Sequence, residues 1–430
     1  MGASTRALHE AIDRHTREGG IAYLHPDGPS VQIDLRGGAN MCTWQHEKAE
    51  RAMLDTAPWS SMPQIYSRYG TESGRQLIAA LCELERAEGV VLTDCGMQAV
   101  ALVLDALLRP GDHVLMSRQV YNKSKAYLAW AAQRGPLEYE LLEELADLDE
   151  AIRPNTRLVF VETFTNPLMR ALDPEVFSDT IVRLREERAA DLHAVVDHTI
   201  ATPWGVTRPL LEWPGIDALA ASGTKALGGQ DRDMWGYVAS RRIPLLNAAM
   251  DIQAMRGGVL SWRVAEVACA GLPEAKQRFI RRCESAERVS AFLAAHPRVS
   301  EVFHPSTEQY PDRDVLAQHY SLPGSLLSFR VNGLDEDQTG HFCDVLATTT
   351  VIRYALSFDG LTTKVNHHKT VSEFHTPDPL LRKQGIDRLI RLGTGVEEPE
   401  DLIACLNWAL WHYDTISSDD VERWQQLQHP

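Results

Sequence analysis

From about residue 71 the chain alternates short apolar runs with amphipathic stretches. Gln76 to Glu88 spaces Leu77, Leu81 and Leu84 as a helix with one buried face would. Val90 to Thr93 then reads as a strand. The pattern repeats with a helix over Val100 to Leu108, stopped by Arg109-Pro110-Gly111, and a strand at His113 to Met116. Further on come a strand at Leu158 to Val161, a helix over Phe177 to Glu187, a strand at Ala194 to Val196, and the run Leu219 to Ser222 ahead of Lys225. Short, continuously apolar strands separated by helices predict an α/β fold, a mostly parallel sheet covered on both faces. Beyond residue 262 a long helical pattern, Val264 to Ala295, leads into a shorter α/β stretch. That stretch comprises strand Leu326 to Val331, helix Glu336 to Leu346, strand Leu389 to Gly393 and helix Pro399 to Trp411. Residues 1–62 lack periodicity and read as an arm. The spacing therefore divides the chain into that arm, a large domain over 63–265 and a smaller C-terminal α/β domain over 266–430, the break falling near 262–275.

A length of 430 residues suits such a pair of domains. The net charge of −16 repels a phosphate backbone, so no nucleic-acid partner is expected. Seven cysteines stand singly with no CxxC pair, which argues against a disulfide framework and a zinc site. No apolar run is long enough to cross a bilayer, and the N-terminus is too polar for a secretory signal, so a cytoplasmic location without membrane attachment is expected. His367-His368-Lys369 and His375 lack the carboxylate company of a metal centre and read as surface or pocket residues. The tryptophans and methionines read as core.

Candidate chemistry centres on Ala221-Ser222-Gly223-Thr224-Lys225. A lysine at the end of an apolar strand is partly desolvated, which frees its amine as nucleophile and base. Ser222 and Thr224, two apart on an extended chain, would aim both hydroxyls at one phosphate. In Val195-Val196-Asp197-His198-Thr199 an apolar strand ends in a carboxylate, where α/β sheets place ligand contacts. Asp197 suits either a cationic ring nitrogen or a helix N-cap. Thr93-Asp94-Cys95-Gly96-Met97-Gln98 opens a helix with a small-residue turn, a setting that favours an anion.

With these residues the chain resembles the Cys/Met-metabolism enzymes that use pyridoxal phosphate: cystathionine γ-synthase, cystathionine γ- and β-lyases, and methionine γ-lyase. The resemblance runs from about residue 63 to 412. It implies the large-plus-small-domain fold of aspartate aminotransferase-like (fold type I) enzymes, with the cofactor held as a Schiff base on Lys225. Tyr66-Ser67-Arg68 looks like the family's Tyr-x-Arg, which reaches the phosphate of a neighbouring subunit's cofactor. Gly96-Met97 looks like the phosphate-cradling turn, and Tyr121 like the tyrosine stacked on the ring. Glu162 and Asn166 match Glu-x-x-x-Asn-Pro, while Asp197, Thr199, Ser222 and Thr224 surround the ring and phosphate in the same scheme. Arg391 matches the arginine that grips the substrate α-carboxylate, with Ser357 as its companion. A homotetramer built from two dimers with shared active sites follows from the same resemblance.

The departures gather around the substrate. Asn122-Lys123-Ser124 follows Tyr121 where the family has glycine and a small residue. Ser357-Phe358-Asp359-Gly360-Leu361-Thr362 replaces Ser-Leu-Gly-Gly-Val-Glu, so Asp359 stands for a glycine and Thr362 for a glutamate that reads a distal amine in some members. Lys123, Asp359 and Thr362 are therefore expected to line an altered substrate pocket. The expected activity is γ-elimination from an unusual L-amino acid, with a leaving group that extends to non-sulfur groups such as halide. Alternatives are γ-replacement on an activated homoserine, a methionine or cystathionine γ-lyase, an aminotransferase, and a non-catalytic cofactor-binding protein.

Overall fold

The computed structural model describes residue 6, residues 67–374 and residues 376–428. The arm (residues 1–62) apart from Arg6, together with Tyr66 and His375, lies outside the described residues.

Seven strands form the large sheet: β1 (Gly89–Thr93), β2 (His113–Ser117), β3 (Glu138–Leu142), β4 (Thr156–Glu162), β5 (His193–Asp197), β6 (Ala218–Ala221) and β7 (Gly236–Ser240). Their order is β1-β7-β6-β5-β4-β2-β3. The run from β6 to β3 is parallel, and β7 is antiparallel to both β6 and β1. Side-chain alternation splits the interior into two layers. In β4, Val159 and Val161 pack with Leu77, Leu81 and Ile181 from helices Glu72–Glu85 and Pro174–Glu187. Leu158 and Phe160 face the other way, onto Val100 and Leu104 of helix Gly96–Leu107 and Leu246 of helix Ile243–Arg256. Both faces are dry, which is why these strands read as unbroken apolar runs.

The smaller sheet has five strands: β8 (Val299–Phe303), β9 (Leu326–Val331), β10 (Arg353–Tyr354), β11 (Lys364–His367) and β12 (Ile390–Gly393), ordered β10-β11-β12-β9-β8. Helices Glu336–Ala347 and Pro399–His412 cover it through Phe342, Leu346, Leu402 and Leu406. Helix Trp262–Ala295 joins the two units. Ala265 and Ala268 at its start sit in the large-sheet core, while Val289 and Leu293 at its end sit in the small-sheet core. The break expected near 262–275 thus falls inside one continuous helix that belongs to both. Among the described residues no helix is long and apolar enough to cross a membrane.

Parallel pairing brings several strand ends to one edge. Glu162 lies opposite Asp197, and Asp197 opposite Ala220. That edge is where a ligand site of an α/β sheet is expected.

Candidate active site

A cavity of about 490 Å³ opens at this edge, between the large sheet and the small-domain loops around residues 356–374. Gly96 and Met97, the first residues of helix Gly96–Leu107, line one wall. Amides of a helix's first turn lack intrahelical partners, so this wall offers N–H groups to an anion. Gly96 is required there: a Cβ at this position would stand 2.6 Å from Cβ of Ser222. Gly96→Ala is accordingly expected to push the two segments apart and weaken cofactor retention at least tenfold, measured as the dissociation constant of the bound chromophore.

Lys225 is at the centre. Its Nζ donates to Oγ of Ser357 at 2.6 Å and lies 4.7 Å from the ring centroid of Phe358. Burial, and secondarily the charge of Arg391, lowers its pKa from 10.5 to about 8. Arg391, on β12, is buried; its Nη2 donates to the Leu356 carbonyl at 2.9 Å and its Nη1 to Oδ1 of Asn166 at 3.4 Å. Burial brings its pKa down to about 10, so the guanidinium remains a cation at neutral pH.

Asp197 and Glu162 form the floor. Burial raises the pKa of both carboxyls, and Asp197 adds to the rise at Glu162. The Thr199 hydroxyl and amide oppose the rise at Asp197, the amide donating to Oδ1 at 2.9 Å. Oγ1 of Thr199 also accepts from the Ser222 amide at 2.9 Å, fixing the start of the lysine turn. Glu162 accepts the Tyr121 amide at 2.6 Å, and the Tyr121 side chain, 42% exposed, lines the cavity above.

Several expectations change in three dimensions. Strand β6 stops at Ala221, and residues 223–228 form a turn, so Ser222 and Thr224 are not neighbours on an extended chain. Both still line the cavity, but Oγ1 of Thr224 donates to the Trp235 carbonyl at 3.1 Å and accepts the Trp235 amide at 2.9 Å. Asp359 is not a pocket residue. It is 1% exposed, with φ of +59°, and its carboxylate faces Ser325 and Arg282 behind the cavity. Thr362 is also absent from the lining: its carbonyl accepts from Nζ of Lys364 at 3.2 Å. Lys123 does reach the rim, its Nζ 5.4 Å from the Phe374 ring centroid. Arg68 donates to the Ala254 carbonyl at 2.8 Å, beside a separate hollow.

His367 engages Thr370 and the Asp387 carbonyl, and His368 is buried; among the described residues no trio of His, Cys, Asp or Glu is grouped as a metal site would need. Met234, Leu356, Val371 and Phe374 line the cavity without having been singled out. Met234 is 62% exposed, so the reading of methionines as core fails there.

The model of the Cys/Met metabolism PLP-dependent enzyme family matches residues 40–411. The chain belongs to this family. It is 26% identical over 355 residues to an L-methionine gamma-lyase of Porphyromonas gingivalis, covering 80% of this chain and 85% of that one. It is 31% identical over 354 residues to a cystathionine gamma-synthase of Mycobacterium bovis, covering 80% and 86%. A solved cystathionine gamma synthase of Xanthomonas oryzae, in complex with aminoacrylate and cysteine, superposes with a TM-score of 0.77 at 26% identity over 96% of this chain and 99% of that one. The protein is thus a pyridoxal-phosphate-dependent enzyme of fold type I, and its relatives include both lyases and transferases of trans-sulfuration.

The residues fit that cofactor on structural grounds. An amine whose pKa burial brings down to about 8, a buried carboxyl awaiting a cation, and a glycine-lined helix start surround one cavity. Lys225 would hold the aldehyde carbon, Asp197 the ring nitrogen, and the Gly96-Met97 turn with Ser222 the phosphate.

Proposed function

We propose that the protein is a lyase that removes a γ-substituent from an L-amino acid. The observation that carries this reading is Lys225 in the cavity, its Nζ on Ser357 and over the Phe358 ring, which the Arg391 guanidinium faces from 5.7 Å. Arg391, a planar donor, grips the substrate α-carboxylate in two places and fixes which Cα bond faces the cofactor. The amine of Lys225, turned by Ser357, takes the Cα proton and would pass it to the bound cofactor, which frees the amine again. Bound pyridoxal phosphate supplies the sink for the electron pair left at Cα, and Asp197 keeps its ring nitrogen protonated. Lys225, having given up its first proton, takes a second from Cβ, and the Cγ–X bond breaks with its electron pair on X. Burial raises the pKa of Tyr121, which keeps its hydroxyl protonated and able to pass a proton to X. Lys123 at the rim favours an anionic X, halide among the non-sulfur candidates.

Elimination is preferred to replacement because the carboxylates lining the cavity are Glu162 and Asp197, both on the floor. Among the described residues no carboxylate lines the mouth to receive the ammonium group of an incoming amino-acid nucleophile. The test is a panel of γ-substituted L-amino acids, sulfur, oxygen, nitrogen and halogen, with products read by mass and ammonia release. Turnover without any added nucleophile supports the proposal. Turnover that requires a thiol acceptor would assign replacement instead, and a keto-acid requirement would assign an aminotransferase.

The working assembly is proposed as a homotetramer of two dimers, since Arg68 lies beside a hollow apart from its own cavity and so serves a neighbour's if it serves one. Full activity of a monomer at nanomolar dilution would overturn this.

A further inference from the structure

The cavity is strongly polarised from floor to mouth. Its floor carries the charged groups Glu162, Asp197, Lys225 and Arg391. Its mouth is built from large hydrophobic side chains that the single chain leaves open: Met234 is 62% exposed, Leu356 70% and Phe374 56%. A single exposed hydrophobic needs no explanation, but convergence of three on one opening does. They come from three separate segments: the loop after the lysine turn, the loop ahead of Ser357, and the stretch after helix His368–Ser372. That last stretch is tied to the large domain, where Nδ2 of Asn122 donates to the Ser372 carbonyl and Nζ of Lys125 lies 3.5 Å from Oε1 of Glu373. The rim cation, Lys123, packs on the Phe374 ring at 5.4 Å.

Resting on the reading of the site as a γ-elimination centre, we infer that the mouth selects substrates whose side chain ends in an apolar group, hydrocarbon or carbon-bound halogen, over those ending in an amine or a second amino-acid head. With the α-amino and α-carboxyl groups held at the floor, the side chain is directed toward the mouth, where Met234, Leu356 and Phe374 line the cavity. A distal ammonium would be desolvated there against thioether and hydrocarbon, and among the described residues no carboxylate lines the mouth. An apolar tail would instead remove those same surfaces from water. Transfer of one methylene out of water is worth about fourfold in affinity.

The experiment uses the holoenzyme and unreactive amino acids that lack a leaving group, with binding read from the visible absorption of the cofactor. The length series is L-alanine, L-2-aminobutyrate, L-norvaline and L-norleucine; L-ornithine and L-lysine supply charged tails. Affinity is expected to rise about fourfold for each added methylene, with every charged-tail compound at least tenfold weaker than L-norleucine. In Met234→Ser and Leu356→Ser, whose exposed side chains are not part of the core, the rise should fall below about twofold per methylene. A flat series, tighter binding of a charged tail, or a slope untouched by both substitutions overturns the inference while leaving the elimination reading in place. If L-alanine itself does not perturb the cofactor, the reading of the floor fails and the inference with it.

Discussion

Lys225→Ala is expected to lower turnover of any accepted substrate by at least about a thousandfold, the scale of a lost general base, while the protein still folds. The side chain sits at the cavity and not in either core, so its removal deletes chemistry without deleting packing. What remains should bind the cofactor reversibly, with an absorption spectrum of the free aldehyde and release on dialysis. The unmodified protein should also capture the aldehyde in a pH-dependent way. With a pKa of about 8 set by burial and by Arg391, about a quarter of the amine is unprotonated at pH 7.5, against about one part in a thousand for an ordinary lysine. The capture rate of the cofactor-free protein should therefore rise with pH through a midpoint near 8, whereas a midpoint near 10.5 would show that the amine is not desolvated. Stopped-flow absorbance across pH 6 to 10 measures it.

Lys225 and Asp197 were legible in the sequence for one reason, while Glu162 was read from the family resemblance. Each stands at or just past the end of an apolar strand, and parallel strands deliver their ends to one edge. The same logic misses elements whose burial is weak or edge-limited. Strand β3 shows Glu138, Tyr139 and Glu140 to solvent, because it closes the sheet and has one neighbour. Helix Asn122–Arg134 buries only Ser124 and Leu128, so its polar composition hides its period. In Ile243–Arg256 the opposite occurs, since apolar residues such as Ile252 and Met255 fall outside the buried set and blur the face. The pocket residues from the small domain were read least well. Ser357 and Asp359 are two apart in the sequence, and a shared destination was a natural expectation. The left-handed backbone at Asp359 separates them: Ser357 meets Lys225 and Asp359 turns inward to Arg282. Such a reversal depends on one dihedral angle, which residue spacing does not encode.

That inward turn makes Arg282→Met the substitution with the largest expected effect on stability. Arg282 and Asp359 are fully buried, with Nε 3.9 Å from Oδ1. The guanidinium also donates to the carbonyls of Ala226, Gly229 and Gly360, so one side chain from the long helix clamps the lysine turn to the small-domain loop. Lys364 and Asp231 continue the network beside it at 2.7 Å. Removing the arginine strands a carboxylate whose Oδ2 has no hydrogen-bond partner and frees three carbonyls. Breaking one side of a buried pair costs about 3–5 kcal/mol, so the urea midpoint of Arg282→Met should fall well below that of the wild type. Asp359→Asn keeps the shape and tolerates the left-handed backbone, so its loss should be smaller. The double variant should be less damaged than the two losses summed, because the stranded charge is gone. Additive losses would show that the pair does not couple. Asp359→Asn carries a second expectation that a mere structural anchor would not produce. The carboxylate is among the charges that favour the ammonium form of Lys225. Its neutralisation should move the midpoint of cofactor capture below 8, in the direction of an amine still more readily freed. An unmoved midpoint in a folded variant would confine Asp359 to holding the loop, and a raised one would mean that the charges beneath Lys225 are arranged differently.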